Sequence, residues 1–172
     1  DRITRAEILS QIVKLKNSIA ISGSHGKTTT TSLISSILNA AKMNPTIING
    51  GIINQFGTNT RLGSGKWMVV EADESDGTFV KLPSTIAVVT NIDKEHLDFY
   101  KNYNNLLIQF KKFITQVPFY GFAIVCIDDP SIRKIVNKIT TANIITYGEN
   151  ENSDIQSKKI RPVSYTHLTL PT

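Results

Sequence analysis

The sequence predicts an α/β domain with a mainly parallel, doubly wound sheet of P-loop type and helices on both faces. Unbroken apolar runs, typical of strands that are buried on both faces, alternate along the chain with segments of helical period. Glycines and polar residues follow these runs repeatedly, as expected where ligands collect at the carboxyl ends of parallel strands. With 172 residues the chain fits one domain.

The first predicted elements are a helix, a strand and a second helix. Residues 4–7 have the spacing of a capping box, in which Thr4 caps the helix and Glu7 reaches back to it. Apolar residues then recur at helical spacing as far as Leu15. A strand at 18–21 follows, and the periodic run after it predicts a helix over residues 28–42.

The rest of the chain repeats this alternation. A strand starts at Pro45 and runs through Ile48, and a glycine-containing loop is expected over residues 49–65. The later predicted elements are strands at 67–70 and 86–90, a helix at 106–117 stopped by Pro118, a strand at 122–127, a helix at 131–139 and a strand at 143–147.

Residues 23–29, Gly-Ser-His-Gly-Lys-Thr-Thr, lie between the first strand and the second helix. The two glycines let backbone N–H groups turn towards an anion, while Lys27 and the helix N-terminus add positive charge. The Thr28 hydroxyl occupies the position of a magnesium ligand in a P-loop. The usual eight-residue pattern has a glycine where this chain has Ile21, so the motif is a shortened form. It predicts nucleotide binding.

An acidic cluster follows the strand at 67–70. Glu71 ends that strand, where P-loop proteins place the acid that holds magnesium, and carboxylate and hydroxyl oxygens suit this ion. Asp73, Glu74 and Asp76 lie close by, and such carboxylates repel one another unless a cation lies among them. The sequence does not say which of them contacts it.

Two histidines remain ambiguous from the residues alone. His25 could shape the phosphate loop or touch a substrate. His96 follows another predicted strand, and a lone histidine there is more often a surface or capping residue than a metal ligand.

The composition argues against several classes of protein. The formal charge is +5, but the lysines are scattered over predicted helices, so no nucleic-acid partner is expected. No apolar run reaches the length of a membrane span, and no signal peptide is visible. Cys126 is expected to be a buried strand residue, and a lone cysteine fits the cytoplasm.

Four segments together resemble the central domain of the Mur ligase family: residues 23–31, 49–51 (Asn-Gly-Gly), 71–76 (Glu-Ala-Asp-Glu-Ser-Asp) and 90–98 (Thr-Asn-Ile-Asp-Lys-Glu-His-Leu-Asp). The resemblance covers about residues 1–148, in the family's order. The Glu-Ser-Asp and His-Leu-Asp spellings favour the activity that joins L-alanine to UDP-N-acetylmuramate over the related tripeptide-recycling activity. The departures are Ser24, where threonine is usual, and the Asp-Lys-Glu spelling of residues 93–95.

The resemblance implies an enzyme of three domains, which bind the UDP group, ATP and the amino acid in chain order. Residues 1–17 are then a lead-in helix from the N-terminal domain, and 18–161 are a partial central ATP-binding domain. The chain is expected to be inactive without its N- and C-terminal domains. Residues 162–172 are expected to be a non-native tail, like a translated adapter, so His167 receives no role.

The resemblance also implies residue roles. Lys27 would contact the β- and γ-phosphates. Thr28 and Glu71 would hold one Mg²⁺, and His96 and Glu71 would hold a second. The implied catalytic residues are Lys27, Glu71 and His96. The implied ATP-binding residues are Gly23, Ser24, His25, Gly26, Lys27, Thr28, Thr29 and Asn91. Asn49, Gly50 and Gly51 would approach UDP-N-acetylmuramate.

The implied reaction belongs to peptidoglycan synthesis in the bacterial cytoplasm. The substrate carboxylate attacks the γ-phosphorus of ATP to give an acyl phosphate and ADP, and the alanine amine then displaces phosphate. Two alternatives stay open: another Mur-type ligase, such as the tripeptide-recycling one, and a P-loop nucleotide-binding module that is not a ligase. The second lacks support because no Asn-Lys-x-Asp motif for a guanine base is present.

Overall fold

The computed structural model describes residues 3–53 and 56–158. Its helices are α1 (Arg5–Val13), α2 (Lys27–Ala40), α3 (Leu97–Tyr100), α4 (Tyr103–Thr115) and α5 (Pro130–Val136), with a 3-10 turn at Thr78–Lys81. Its strands are β1 (Asn17–Ser22), β2 (Thr46–Ile53), β3 (Thr58–Arg61), β4 (Trp67–Glu71), β5 (Ile86–Val89), β6 (Phe122–Cys126), β7 (Ile144–Gly148) and β8 (Ile155–Gln156).

The strands form one sheet in the order β3-β2-β4-β1-β5-β6-β7-β8. Every pairing is parallel except that between β2 and β3. The prediction of a mainly parallel α/β sheet is therefore confirmed. β1 lies between β4 and β5, so the phosphate loop that follows β1 opens where the chain crosses from one half of the sheet to the other.

Helices cover both faces of the sheet. Successive strand residues point to opposite faces, and in β1 the side chain of Ala20 joins one apolar cluster while Ile19 and Ile21 join another. The smaller cluster is closed by Ile34 and Leu38 of α2. The larger cluster contains residues of α1, α4, α5 and the 3-10 turn, including the buried rings of Phe79, Phe110 and Phe113. Because both faces are buried, the strands read as continuous apolar runs.

Local signals set the helix ends. The capping box predicted at the start of α1 is present: the Thr4 hydroxyl accepts the Glu7 N–H at 3.3 Å, and the Glu7 carboxylate accepts the Thr4 N–H at 2.8 Å. α5 begins with Pro130 behind an Asp129 cap, which accepts the N–H groups of Ser131 and Ile132. α2 stops at Ala40, a little before the predicted end.

The prediction of a loop over residues 49–65 is wrong in part. β2 continues through the Asn-Gly-Gly segment to Ile53, and β3 pairs back against it, with Ile48 opposite Thr60 and an irregularity before Ile53. Asparagine and glycine have low strand propensity, and the Asn-Gly-Gly segment lies in this irregularity, with paired residues of β2 on either side of it. α3, β8 and the 3-10 turn are further short elements that the periodicity does not predict.

Cys126 lies in β6 as predicted but is only half-buried. The interpretation of residues 162–172 as a non-native tail concerns residues outside the described ranges. Among the described residues, no helix is both long enough and apolar enough to cross a membrane.

Candidate active site

Three neighbouring strand ends build the candidate site. β1 leads into the phosphate loop, β4 ends at Glu71, and β5 leads into Thr90 and Asn91. Gly23 begins the loop with φ +137°, and a Cβ atom there would lie 2.2 Å from Thr90 Oγ1. Only glycine adopts this conformation readily and lets the segment after β5 approach so closely.

Asn91 fixes the first half of the phosphate loop. Its Oδ1 accepts the His25 N–H at 2.7 Å, and its Nδ2 donates to the His25 carbonyl at 3.0 Å. Its own carbonyl accepts the Ser24 N–H at 3.1 Å, and the Ser24 hydroxyl accepts the Asp93 N–H at 2.8 Å. The backbone N–H groups of Ser24 and His25, which the sequence assigns to ATP phosphates, therefore already have partners within the protein.

The His25 side chain adds a contact with the same segment after β5. It is more than half exposed, and its Nε2 lies 2.8 Å from Asp93 Oδ2 and 3.8 Å from Glu95 Oε1. Of the two roles that the sequence left open, this geometry favours shaping the loop.

We expect Asn91→Asp to weaken nucleotide binding. The new carboxylate cannot donate to the His25 carbonyl and adds negative charge beside an anion-binding loop, so the Kd should rise at least about tenfold. Isothermal titration calorimetry with ATP and Mg²⁺ measures this. Asn143→Asp is the matched control, because the Asn143 amide donates to the carbonyls of Phe119 and Gly121, which precede β6 at the other end of the sheet. An unchanged Kd for Asn91→Asp would contradict the role of the Asn91 amide.

The second half of the loop provides the anion-binding end of α2. Gly26, with φ +80°, precedes the helix and leaves it without a side-chain cap. The N–H groups of the first helical turn, which includes Lys27, Thr28 and Thr29, have no carbonyl partner within a helix. Together with the helix dipole they suit a phosphate group.

Lys27 folds back over the loop and pairs with Glu74. Its Nζ donates to the Gly23 carbonyl at 2.7 Å and to Ser24 at 3.3 Å, and it lies 3.0 Å and 2.9 Å from the two carboxylate oxygens of Glu74. The Glu74 side chain is 1% exposed. The sequence does not distinguish Glu74 from Asp73 and Asp76, and only its burial separates it from these two exposed acids.

Tyr100 anchors the backbone of this acidic segment. Its hydroxyl donates to the Glu74 carbonyl oxygen. Burial, and then the nearby carboxylates of Glu74, Asp76 and Asp73, raise the pKa of Tyr100 well above its usual value. The hydroxyl therefore stays protonated and remains a donor.

Glu71 joins the loop to the Asn-Gly-Gly segment. Its Oε2 accepts the Thr28 hydroxyl and the Gly50 N–H, each at 2.9 Å. A Cβ on Gly50 would lie 2.8 Å from Glu71 Oε1, and one on Gly51 would lie 3.0 Å from Thr28 Cγ2. The structure thus brings Thr28 and Glu71 together as the sequence predicts, and their hydroxyl and carboxylate oxygens are the donor types that Mg²⁺ takes.

His96 reaches the same site from the segment after β5. Its Nε2 lies 3.7 Å from Glu74 Oε1. Ligand atoms of Glu74, Glu95 and His96 lie within 4.8 Å of one another, a donor set that suits a divalent cation, and Glu71 does not belong to this group. The shared role of His96 and Glu71 on a second metal stays a prediction.

A cleft of about 210 Å³ opens beside Glu71. It is lined by Leu9, Ile48, Asn49, Gly50, Glu71, Asp73, Asp76, Thr78 and Leu82. The buried Asn49 donates to the Gly51 carbonyl at 3.0 Å, and its Oδ1 has no hydrogen-bond partner in the part of the chain that the structure describes. A larger cavity of about 660 Å³ lies at the amino ends of the strands, away from every predicted site residue.

The phosphate loop and its surroundings are those of a nucleotide-binding domain. A loop between a buried strand and an uncapped helix, with a lysine, a threonine and an acid from the adjacent strand, is typical of an α/β domain that binds nucleotide phosphates. The family follows from comparison with known proteins. The family model named Mur ligase middle domain matches residues 21–169 of the sequence, and the chain belongs to this family.

Curated relatives resemble the chain closely over one part of their length. A UDP-N-acetylmuramate–L-alanine ligase of Rhizobium johnstonii is 54% identical over 159 residues, which are 92% of this chain and 34% of the relative. The ligase of the same name from Agrobacterium fabrum is 52% identical, with the same coverage. The chain therefore spans about a third of the length of the curated relatives it matches.

Solved structures of Mur ligases share the fold. The UDP-N-acetylmuramate-alanine ligase MurC of Thermotoga maritima has a TM-score of 0.73 at 24% identity, over 87% of this chain and 33% of that one. The MurF ligase of Thermotoga maritima in complex with ADP has a TM-score of 0.68 at 22% identity, over 88% of this chain and 38% of that one. At these identities the likeness shows the fold alone.

Proposed function

We propose that the full-length protein carrying this chain joins L-alanine to the carboxylate of UDP-N-acetylmuramate, with ATP converted to ADP. The observation that carries the choice of substrates is the 54% identity, over 92% of the chain, to a ligase named for this reaction. The reaction would proceed through an acyl phosphate, in peptidoglycan synthesis in the bacterial cytoplasm.

The geometry supports the nucleotide half of this proposal. The first turn of α2 and Lys27 would bind the phosphates, and Asn91 would hold the loop in the shape they need. The Lys27 ammonium would stabilise charge on the transferring phosphoryl group, which is a positioning and electrostatic task. Asn49, Gly50 and Gly51 line or border the cleft beside Glu71, where the carboxylate substrate would approach.

Magnesium is the cation we propose for the Thr28–Glu71 pair, because a hydroxyl and a carboxylate oxygen meet there at 2.9 Å. When bound, it would neutralise negative charge on the phosphates and the substrate carboxylate. We assign His96 to a second cation of the same kind.

The test is an assay of the full-length protein for ADP release. ADP should appear only when ATP, Mg²⁺, UDP-N-acetylmuramate and L-alanine are all present, and mass spectrometry should detect UDP-N-acetylmuramoyl-L-alanine. A parallel reaction replaces alanine with the stem tripeptide. Product from the tripeptide and none from alanine would favour the recycling activity. ADP release that depends neither on UDP-N-acetylmuramate nor on L-alanine would overturn the ligase proposal in favour of a simple nucleotide hydrolase.

A further inference from the structure

Glu74 is a buried acid in the phosphate site, and the proposed reaction gives it no role. Its carbonyl oxygen accepts the Gly77 N–H at 3.1 Å and the Tyr100 hydroxyl, so its backbone is fixed from two sides. Its Oε1 accepts a hydrogen bond from Lys27 at 3.0 Å. Its Oε2 is buried 2.9 Å from the same nitrogen, yet has no hydrogen-bond partner among the described residues.

This pair uses the donors that a phosphate needs. An ammonium group has three N–H donors. In the structure those of Lys27 face the carbonyls of Gly23 and Ser24 and the Glu74 carboxylate. The two carbonyls belong to the loop itself, whereas Glu74 comes from the segment after β4. A phosphate that binds Lys27 must therefore take the place of Glu74 or lie beside its like charge, which repels it.

A second set of groups surrounds the same carboxylate. Ligand atoms of Glu74, Glu95 and His96 lie within 4.8 Å of one another. The two carboxylates repel a phosphate, and together with the imidazole they suit a divalent cation. When Lys27 turns to a phosphate, Glu74 loses its counter-charge, and a buried carboxylate without one is costly. A cation held by Glu74, Glu95 and His96 would restore the balance of charge.

We propose that Glu74 makes nucleotide binding conditional on a divalent cation. Before nucleotide binds, Glu74 pairs with Lys27, and when nucleotide binds it exchanges Lys27 for the cation beside Glu95 and His96. Glu74 is thus a positioning residue that acts through Lys27. The inference rests on the proposed function for the identity of the nucleotide.

The test compares the full-length protein with its Glu74→Gln variant, which keeps the size of the side chain and removes its charge. Calorimetry gives the Kd of a non-hydrolysable ATP analogue with excess Mg²⁺ and with EDTA. In the unaltered protein EDTA should raise the Kd about a hundredfold, and in the variant about tenfold or less, since like charges a few ångströms apart interact strongly. Most of the difference should come from tighter binding by the variant in EDTA.

Asp73→Asn is the matched control. It removes the same charge from the exposed neighbour of Glu74, whose carboxylate accepts the Ser75 N–H at 3.0 Å. Because water screens an exposed charge, its ratio of Kd values should stay within about threefold of that of the unaltered protein. An equal loss of metal dependence in both variants would mean that net charge, and not the Glu74 contact, is responsible, and the inference would fail.

A second variant tests the exchange from the other side of the pair. Lys27→Met removes the tethered cation and keeps most of the stem, so Mn²⁺ alone, without nucleotide, should bind at least about tenfold more tightly than in the unaltered protein. This measurement decides the matter if Glu74→Gln does not fold. Full metal dependence in a folded Glu74→Gln variant, or unchanged Mn²⁺ binding in Lys27→Met, overturns the inference. If the unaltered protein binds no nucleotide even with Mg²⁺, the proposed function fails instead.

Discussion

Replacing Lys27 by alanine should lower the turnover of the full-length enzyme about a thousandfold, because one preorganised donor to the transferring phosphoryl group is lost. The structure adds a second effect, since Glu74 is 1% exposed and loses its counter-charge. Removing one partner of a buried pair costs about 3–5 kcal/mol of stability. The variant should therefore melt at a lower temperature as well as react slowly.

A double variant separates these two effects. Lys27→Ala combined with Glu74→Gln carries no uncompensated charge, so its melting temperature should recover while its turnover stays low. Lys111→Ala, on the exposed face of α4, is the control for loss of a lysine and should leave turnover unchanged. Turnover that recovers together with stability in the double variant would show that Lys27 acts only on folding.

Gly23→Ala should weaken nucleotide binding strongly. The backbone has φ +137°, and the added Cβ would lie 2.2 Å from Thr90 Oγ1 and 3.0 Å from the Asn91 carbonyl. The loop and the segment after β5 would have to separate, which breaks the contacts of Asn91 with His25. We expect the Kd for ATP to rise at least about a hundredfold, and the free energy of unfolding to fall by about 2–3 kcal/mol from backbone strain.

Two other glycines serve as controls for this substitution. Gly57 has φ +64°, and a Cβ added there would meet no atom of the described residues within 4 Å, so Gly57→Ala carries backbone strain without a clash and outside the site. It should cost about 1 kcal/mol and leave nucleotide affinity unchanged. Gly26 has φ +80° and equally open surroundings, so Gly26→Ala introduces backbone strain within the loop without a clash. A Gly23→Ala variant that binds ATP as well as Gly57→Ala would refute the close-packing argument.

The sequence predicts the central sheet well because its strands are buried on both faces. Their apolar runs carry the signal, and the loop motif marks the carboxyl end of β1. The hairpin of β2 and β3 could not be predicted, since Asn49, Gly50 and Gly51 have low strand propensity and lie in the irregular stretch between the two parts of β2 that pair with β3. That pairing is a tertiary effect with no local signature.

The candidate site shows the same division. Thr28 and Glu71 were predicted as partners because P-loops place a hydroxyl and an acid at these positions, and they meet at 2.9 Å. Glu74 could not be separated from Asp73 and Asp76, because residue type says nothing about which of several neighbouring acids is buried. The partners of the Ser24 and His25 N–H groups depend on how closely the segment after β5 approaches, which only the fold determines.

The contacts of Asn91 have a consequence for the thermodynamics of binding. Because the amide and carbonyl of Asn91 hold the Ser24–His25 backbone through contacts within the protein, that part of the loop is ordered without help from the ligand. Its conformational entropy is lost during folding, when the sheet brings β1 and β5 together, and not when the ligand arrives. More of the attraction between the phosphates and the first turn of α2 then remains as affinity.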